Sequence, residues 1–375
     1  MFNLTLIGMI RKYSVGMDMA KKNFKACLSI INNNQQVKVK ASSTFDNTPA
    51  GYNKFWSWQL KHQKEDSPIC FTMESTGSYH EKAAWFLHSK SKTVNIVLPN
   101  RAKAYLTSLG HKSKNDKMDA KGLAHMGAVQ RLKPWTPISQ ELYSLRGLTR
   151  HLEDLQNLRT SLNNQKEQNS HGMFEVKQVA KSINKTLKAL DKQITDCKKN
   201  IAGILQKDER LARKTTHITS IKGVSTITAA VIIAETNGFE LINNIKQLTS
   251  YAGYDVKQNQ SGQMNGKTRI SKKGNAHIRR AMHLPAFNMI RYNVKPFNDL
   301  YDRVYERTGT KMKAYVAVQR KLLSYMYILW KNEENFDPEY NLKLYQKSQI
   351  NKTADSDEPA ALDELETNQA LFSIS

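Results

Sequence analysis

The stretch YSVGMDMA, residues 13–20, is the first of the segments that decide the fold of the N-terminal part of this chain. It is a short run rich in strand-forming residues, and Asp18 lies near its end. Further short runs of the same kind follow, separated by stretches with helical periodicity. These runs are ACLSII, QVKVKAS, ICFTMES and VNIVLP. The alternation predicts an α/β domain over residues 13–135.

The order of the segments predicts how the sheet is built. Three consecutive strands come first, followed by a helix, a strand, a helix, a strand and further helices. The first two helical stretches are AGYNKFWSWQLKH and SYHEKAAWFLHSK. This order is compatible with a mixed sheet whose first strands form an antiparallel meander. The ribonuclease-H-like fold has the same order, and we expect it here.

A different period begins after residue 140. Apolar residues from Val176 to Ile201 follow one another at steps of three or four residues, which is a heptad seam. An earlier run between Leu145 and Leu162 has similar spacing, and NSHGM (169–173) separates the two. The pattern predicts two long helices over residues 140–214. It fits a coiled-coil arm that joins subunits and also a helical bundle within one subunit.

Residues 216–331 show mostly helical patterns around one polar insertion, GYDVKQNQSGQMNGKTRISKKGN (253–275), which is too polar to form core. The preceding stretch, ITSIKGVSTITAAVIIAE (218–235), predicts two helices joined by a turn at Gly223. Such a pair either presents backbone N–H groups to phosphates or is an ordinary helical hairpin.

Charge narrows the class of partner. The chain has 57 Lys plus Arg against 33 Asp plus Glu, a net charge of +24, which is typical of a protein that binds polyanions. Residues 351–375 are acidic instead, and we expect them to form a disordered tail.

Three widely spaced cysteines argue against a disulfide framework and a structural zinc site, and they fit a reducing cytoplasm. The apolar start MFNLTLIGMI lacks the features of an export signal or a membrane span.

Four acidic residues are candidates for chemistry. Asp18 and Glu74 end two strands, and Asp116 and Asp119 lie three residues apart at a helix start, so that their side chains share one face. We expect all four at one end of the sheet. Divalent cations such as Mg²⁺ prefer oxygen ligands, and two of them can clamp the attacking and leaving oxygens of a phosphoryl displacement.

Each acid also has an ordinary structural explanation. A strand-end aspartate is often a turn or cap residue, and Glu74 before STG would serve as a loop acid. Asp116 would suit the N-cap of its helix, with Asp119 favoured in the first turn. The combination of the four, rather than any one of them, favours a metal site.

These segments resemble the DEDD transposases of insertion-sequence family 110, which include the Piv-type DNA invertases. The resemblance extends from about residue 13 to about residue 330. In the first half it is carried by VGMDMAKKNF, TMESTGSYHEKAAWFL and VLPNRAKAYLTSLGHKSKNDKMDAKGLA. In the second half it is carried by ITSIKGVSTITAAVIIAE, LTSYAGY and SGQMNGKTRISKKGNAHIRRAMHLPA. The chain departs from the family where YAGYDVKQ lacks the usual proline after AG.

The resemblance implies a RuvC-like N-terminal domain whose Asp18, Glu74, Asp116 and Asp119 bind Mg²⁺ or Mn²⁺. A helical linker then leads to a mostly α-helical transposase domain, whose Ser261 attacks the DNA phosphate. A serine hydroxyl needs a base or a metal to activate it, so a site shared with the acids is chemically sensible. Ser250 and Ser271 are the nearby alternatives.

The resemblance also implies the partners: donor and target DNA, a guide RNA encoded by the element, and further copies of the chain in a dimer or tetramer, in a prokaryotic cytoplasm at the nucleoid. A dense basic run is assigned to nucleic-acid backbones, with a solvated basic face as the alternative. Its members are Lys267, Arg269, Lys272, Lys273, Arg279 and Arg280.

Three functions are consistent with these residues. The first is a Mg²⁺-dependent DNA recombinase, the transposase of an insertion sequence, which needs both the acids and Ser261. The second is a RuvC-like structure-specific endonuclease, which uses metal-activated water and does not need Ser261. The third is a nucleic-acid-binding protein without catalysis, in which the acids are structural.

Overall fold

The computed structural model describes residues 10–75, 77–110, 115–257, 260–261, 264–265 and 269–339. Lys267, the predicted acidic tail and nearly all of the apolar start lie outside these ranges. The chain divides into two compact units, Met1–Pro137 and Ile138–Ser375. The finer domain boundaries given above stay predictions.

The first unit contains a five-stranded mixed sheet in the order β3-β2-β1-β4-β5. Its strands are β1 Ile10–Met19, β2 Asn23–Asn32, β3 Val37–Asp46, β4 Ile69–Glu74 and β5 Thr93–Val97. The first three pair antiparallel, whereas β4 runs parallel to β1 and β5 parallel to β4. This order confirms the predicted meander and the ribonuclease-H-like fold.

Four helices accompany the sheet: α1 Pro49–His62, α2 Glu81–Ser89, α3 Pro99–Ser108 and α4 Asp116–Val129. Thr48 caps the start of helix α1, because its side chain accepts a hydrogen bond from the Gly51 N–H. The first residue of the helix is Pro49, which suits the first turn. Aromatic side chains fill the space between this helix and the sheet. The ring of Phe55 lies edge-on to those of Phe24 and Phe71, with centroids 5.4 and 6.1 Å apart.

The second unit begins with the two long helices that the heptad seam predicts, α5 Gln140–His171 and α6 Lys177–Lys207. The chain turns between them at residues 172–176. Their seam residues, among them Leu152, Leu190 and Ile201, are buried in the same core as the C-terminal helices. The part of the seam from Leu190 to Ile201 is therefore packed within one chain, whereas Val176 and Val179 at its start are exposed.

The rest of the second unit is mostly helical. Its helices are α7 Glu209–Thr219, α8 Thr226–Glu235, α9 Ile245–Ala252, α10 Ala276–Ala281, α11 His283–Arg291, α12 Phe297–Thr308 and α13 Lys311–Asn332. Gly223 lies between α7 and α8 as predicted, with φ of 96°, and a Cβ there would lie 2.8 Å from the Cβ of Asn288. No helix in the described ranges is long and apolar enough to cross a membrane.

The polar insertion contains four two-residue strands that the sequence pattern did not predict. They are β6 Val256–Lys257, β7 Gln260–Ser261, β8 Met264–Asn265 and β9 Arg269–Ile270. β6 pairs with β9 and β7 pairs with β8, both antiparallel.

Candidate active site

Asp18 and Glu74 lie side by side at one edge of the sheet. Met17 of β1 and Met73 of β4 are register partners in a parallel pair, and each acid is the next residue of its strand. Because neighbouring parallel strands end at the same edge of the sheet, the two carboxylates lie together at that edge. The strand-end positions predicted for both acids are confirmed.

Helix α4 contributes the other two acids. It begins at Asp116, and both Asp116 and Asp119 lie in its first turn. The N-cap is Asn115, whose side chain accepts a hydrogen bond from the Met118 N–H at 3.0 Å. The alternative that made Asp116 the N-cap is therefore wrong, because the amide one residue earlier fills that position. The helix dipole favours negative charge on both carboxylates.

Small residues allow α4 to lie directly on the sheet. A Cβ on Gly16 of β1 would lie 2.1 Å from the Ala120 carbonyl oxygen and 2.1 Å from the Ala124 amide nitrogen. A Cβ on Gly127 would lie 2.2 Å from Thr72 Oγ1 of β4. Both positions therefore need glycine, since any side chain would push the helix away. This close packing fixes the start of α4, and thus its two acids, beside Asp18.

The four carboxylates interact electrostatically. The pKa of Asp18 is raised to about 6, first by burial and then by the negative charges of Asp119, Asp116 and Glu74. Lys25, the β2 register partner of Asp18, acts in the opposite direction and lies 3.4 Å from an Asp116 carboxylate oxygen. Negative charge is thus concentrated at this sheet edge, with Lys25 beside it.

The donor set fits a divalent cation by its chemistry, since carboxylate oxygens are the ligands that Mg²⁺ and Mn²⁺ prefer. Burial is the largest cause of the raised Asp18 pKa, and the negative charges of Asp119, Asp116 and Glu74, which a cation would offset, add to it. In the described part of the chain, however, no group of three or more His, Cys, Asp or Glu side chains has the arrangement of a metal site. The Asp116 side chain is 69% exposed. The carboxylates share one neighbourhood but have not converged on one point.

Ser261, the predicted nucleophile, lies in the second unit. Its backbone is in β7 and is the register partner of Met264 in β8. The stem of this hairpin is the β6–β9 pair, extended by a 2.7 Å hydrogen bond from the Ser271 N–H to the Asp255 carbonyl. Of the alternatives, Ser271 donates its hydroxyl to the Gly253 carbonyl at 3.4 Å, and Ser250 lies exposed in α9.

A buried carboxylate anchors the base of this stem. Glu235, at the end of α8, accepts two hydrogen bonds from Arg150 at 2.7 and 2.9 Å and one from Asn275 at 2.6 Å. Its backbone carbonyl accepts the Tyr251 hydroxyl at 2.8 Å. Burial acts to raise the pKa of Glu235, but the Arg150 and Asn275 hydrogen bonds outweigh it and hold the pKa below its ordinary value.

Two models of protein families match this chain. One, described as a transposase of the DEDD type of IS110, matches residues 15–174, and the other, described as Transposase IS116/IS110/IS902 family, matches residues 215–302. Together they match more than half of the chain. The chain belongs to the IS110 family of transposases. This transposase is therefore an enzyme that acts on DNA.

Curated relatives of the transposase are pilin gene-inverting proteins. The one from Moraxella bovis is 27% identical over 327 residues, which are 87% of this chain and 98% of that protein. The one from Moraxella lacunata is 27% identical over 330 residues, again 87% of this chain and 98% of that protein. The predicted family membership is confirmed.

Solved structures similar to part of the transposase include RuvC and a viral Holliday junction resolvase. A Thermus thermophilus RuvC structure is 12% identical, with 33% of this chain and 99% of that chain covered and a TM-score of 0.26. The fowlpox virus Holliday junction resolvase is 17% identical, with 32% and 99% covered and a TM-score of 0.23. The fold assignment rests on the strand order of the sheet, not on these similarities.

The predicted basic contacts fall into two groups. Arg269, Lys272 and Lys273 are exposed. Arg279 donates to the Ala252 carbonyl at 2.7 Å, and Arg280 forms an ion pair with Glu153 on α5, to which His277 also binds at 2.6 Å. The latter two arginines therefore have internal partners. Assignment of the set to nucleic acid stays a prediction.

Sequence reasoning missed two charged residues of this transposase. The signal for Glu235 was present, since an acid at the end of the apolar run ITAAVIIAE must be either exposed or paired. The signal for Lys25 required the β1–β2 register, which places it opposite Asp18.

Proposed function

We propose that the transposase is a Mg²⁺-dependent, site-specific DNA recombinase in which Asp18, Glu74, Asp116, Asp119 and Ser261 are catalytic. The observation that carries the proposal is the electrostatic cluster around Asp18, whose pKa is raised to about 6. Like charges held together at a sheet edge oppose folding. Strongly perturbed carboxylates of this kind are typical of functional sites.

The four carboxylates would hold the metal ions, Mg²⁺ or Mn²⁺. When bound there, a divalent cation stabilises the negative charge that develops on the phosphate oxygens during displacement. The acids must be ionised to bind a metal ion, and with a pKa of about 6 Asp18 is mostly ionised at neutral pH. Lys25 offsets part of their repulsion before binding, through its contact with Asp116.

Ser261 would form the covalent link to DNA. Its hydroxyl gives up a proton, its oxygen bonds to phosphorus, and one phosphodiester P–O bond breaks. The electron pair of that bond stays with the departing sugar oxygen, which takes up a proton. A sugar hydroxyl from another DNA end then attacks the phosphoserine, restores a phosphodiester and releases Ser261. The paired β-stem and the Glu235 anchor support this role because they give the serine-bearing hairpin a fixed base.

The proposal includes a guide RNA from the element and a tetrameric assembly. The net charge of +24 supports binding of more nucleic acid than a small DNA contact requires. Base pairing by an RNA would supply the specificity, while the protein binds backbone and shape. Light scattering of the purified complex tests the tetramer, and exchange assays with and without the RNA test the guide.

The decisive experiment is strand exchange between a donor-junction DNA and its target, with Mg²⁺ and the RNA transcribed from the flanking element. The intact protein is compared with Ser261→Ala, Asp18→Asn and a control, Ser271→Ala. We expect the first two to abolish exchange and the control to retain it. Denaturing gels should show DNA covalently attached only to proteins that retain Ser261.

Two outcomes would overturn parts of the proposal separately. Cutting by Ser261→Ala without covalent attachment would identify a nuclease that uses water, and Ser261 would lose its role. Exchange by Asp18→Asn at the normal rate would remove the acid cluster from catalysis.

A further inference from the structure

Helix α6 carries a row of lysines on one side. Six of its eight lysines project within an arc of about 80° when positions are plotted at about 100° per residue. All six are exposed. They are Lys177, Lys181, Lys185, Lys188, Lys192 and Lys199. We call this set the lysine face.

The lysine face points away from the rest of the unit. The core residues of α6, such as Leu190, Ile194 and Ile201, centre on the opposite side of the helix. The six lysines thus lie outside the packed side of the helix.

The charges of the lysine face are not balanced. In the part of the chain that the structure describes, none of the six lysines forms an ion pair. Of the two acids in α6, Asp191 pairs with Arg159 of α5 at 2.6 Å, and Asp196 lies at the border of the face. An exposed helix is ordinarily stabilised by opposite charges four residues apart, whereas Lys177, Lys181 and Lys185 repel one another at that spacing.

An ordinary solvated surface would place both signs of charge on this side of α6. The observed row of like charges instead lowers the stability of the helix, and a bound polyanion would relieve that repulsion. Residues 177 to 199 extend over about 33 Å, close to the length of one turn of B-form DNA. Such a duplex presents about one phosphate charge per 1.7 Å.

We propose that the lysine face binds the phosphate backbone of duplex DNA, outside the site of strand cleavage. DNA is the proposed partner because the enzyme acts on DNA. The contact is electrostatic and independent of sequence, and it holds the duplex without chemistry. This inference rests on the family assignment and on α6, and it does not depend on Ser261 as nucleophile.

The test is the salt dependence of binding by the full-length protein. Fluorescence anisotropy measures the affinity for a labelled duplex DNA of arbitrary sequence over a series of NaCl concentrations. The test variant carries Lys181→Gln, Lys188→Gln and Lys192→Gln. The control carries the same charge change at exposed lysines off the face, namely Lys166→Gln, Lys198→Gln and Lys207→Gln.

We expect the test variant to bind more weakly and to lose about 2 to 3 from the magnitude of the slope of log K against log [NaCl], since each phosphate contact contributes about 0.9. The control should lose less than about 1. A third variant with arginine at the same three positions should keep the slope, and circular dichroism should show all variants folded.

Three results would overturn the proposal. Equal losses in test and control variants would mean that only net charge matters. An unchanged slope in the test variant would mean that DNA does not touch the face. A loss that occurs with duplex RNA but not with DNA would assign the face to RNA. Because binding is measured without strand exchange, none of these results bears on the proposed cleavage chemistry.

Discussion

Replacing Asp18 by asparagine should stabilise the metal-free transposase near neutral pH while it removes catalysis. Asparagine is nearly isosteric, so packing at the end of β1 is kept. It removes the one charge that is both partly buried and repelled by Asp119, Asp116 and Glu74. An acid cluster kept for function should behave in this way, because the native residue opposes folding.

The pKa of Asp18 gives the magnitude. The rise from an ordinary value of 3.8 to about 6 corresponds to roughly 3 kcal/mol at about 1.4 kcal/mol per pH unit. Because solvent screens part of this interaction, we expect about 1 to 2 kcal/mol. The sign follows from proton binding: between pH 3.8 and about 6 the folded state holds more protons than the unfolded state, so wild-type stability falls as pH rises. The advantage of Asp18→Asn should therefore grow through this window and level off above it.

Urea unfolding followed by tryptophan fluorescence measures this difference. Four of the five tryptophans lie in the first unit, so the signal reports mainly on the unit that contains Asp18. The control is Asp66→Asn, an exposed aspartate of the same unit, which should change stability by less than about 0.5 kcal/mol. Saturating MgCl₂ should stabilise the wild type and not Asp18→Asn. A stability gain that is constant from pH 4 to pH 7, or no gain, would refute the electrostatic argument.

Three further predictions concern the elements that hold the site. Gly16→Ala should destabilise the first unit by about 1 to 3 kcal/mol and weaken Mg²⁺ binding, because the new Cβ would collide with the α4 backbone. The control Gly147→Ala, at a position that faces open space, should not destabilise the protein, and equal melting temperatures of the two variants would contradict the prediction. Asn115→Ala should lose about 1 kcal/mol and reduce Mg²⁺ affinity in calorimetry, while the matched cap variant Thr48→Ala should lose stability alone. Glu235→Gln should destabilise the second unit by about 2 to 4 kcal/mol in thermal unfolding, whereas the control Glu306→Gln, at an exposed position, should cause no change. Unchanged stability of Glu235→Gln would show that the ion pair between Arg150 and Glu235 is dispensable.

Much of the fold was predictable because its signals are local. The β-rich runs of the first unit, the heptad seam and the turn at Gly223 each depend on residues close together in sequence, and the structure confirms all three. The strand ends at Asp18 and Glu74 were predictable for the same reason. The short strands around Ser261 were not, because two-residue strands in a polar segment have no period to detect.

The arrangement of the site depended on contacts that no local pattern contains. Gly16 and Ala120 meet only because α4 crosses β1, and nothing near either residue indicates the other. Asp116 and Asn115 are both good N-cap residues, so the choice between them depended on where the helix begins on the sheet. Lys25 became relevant only through the strand register.

Two acids in the described part of the chain, the partly buried Asp18 and the buried Glu235, have pKa values that shift in opposite directions. Glu235 is held below its ordinary pKa by Arg150 and Asn275, so its charge is satisfied by the protein itself. Asp18 is held above its ordinary pKa by burial and by three other acids, and the charge of Lys25 offsets only part of this effect. The first pattern is that of a structural ion pair, and the second is that of a site that requires a cation. A divalent ion should therefore bind where Asp18 lies and leave Glu235 unaffected, which separates the two acids by function.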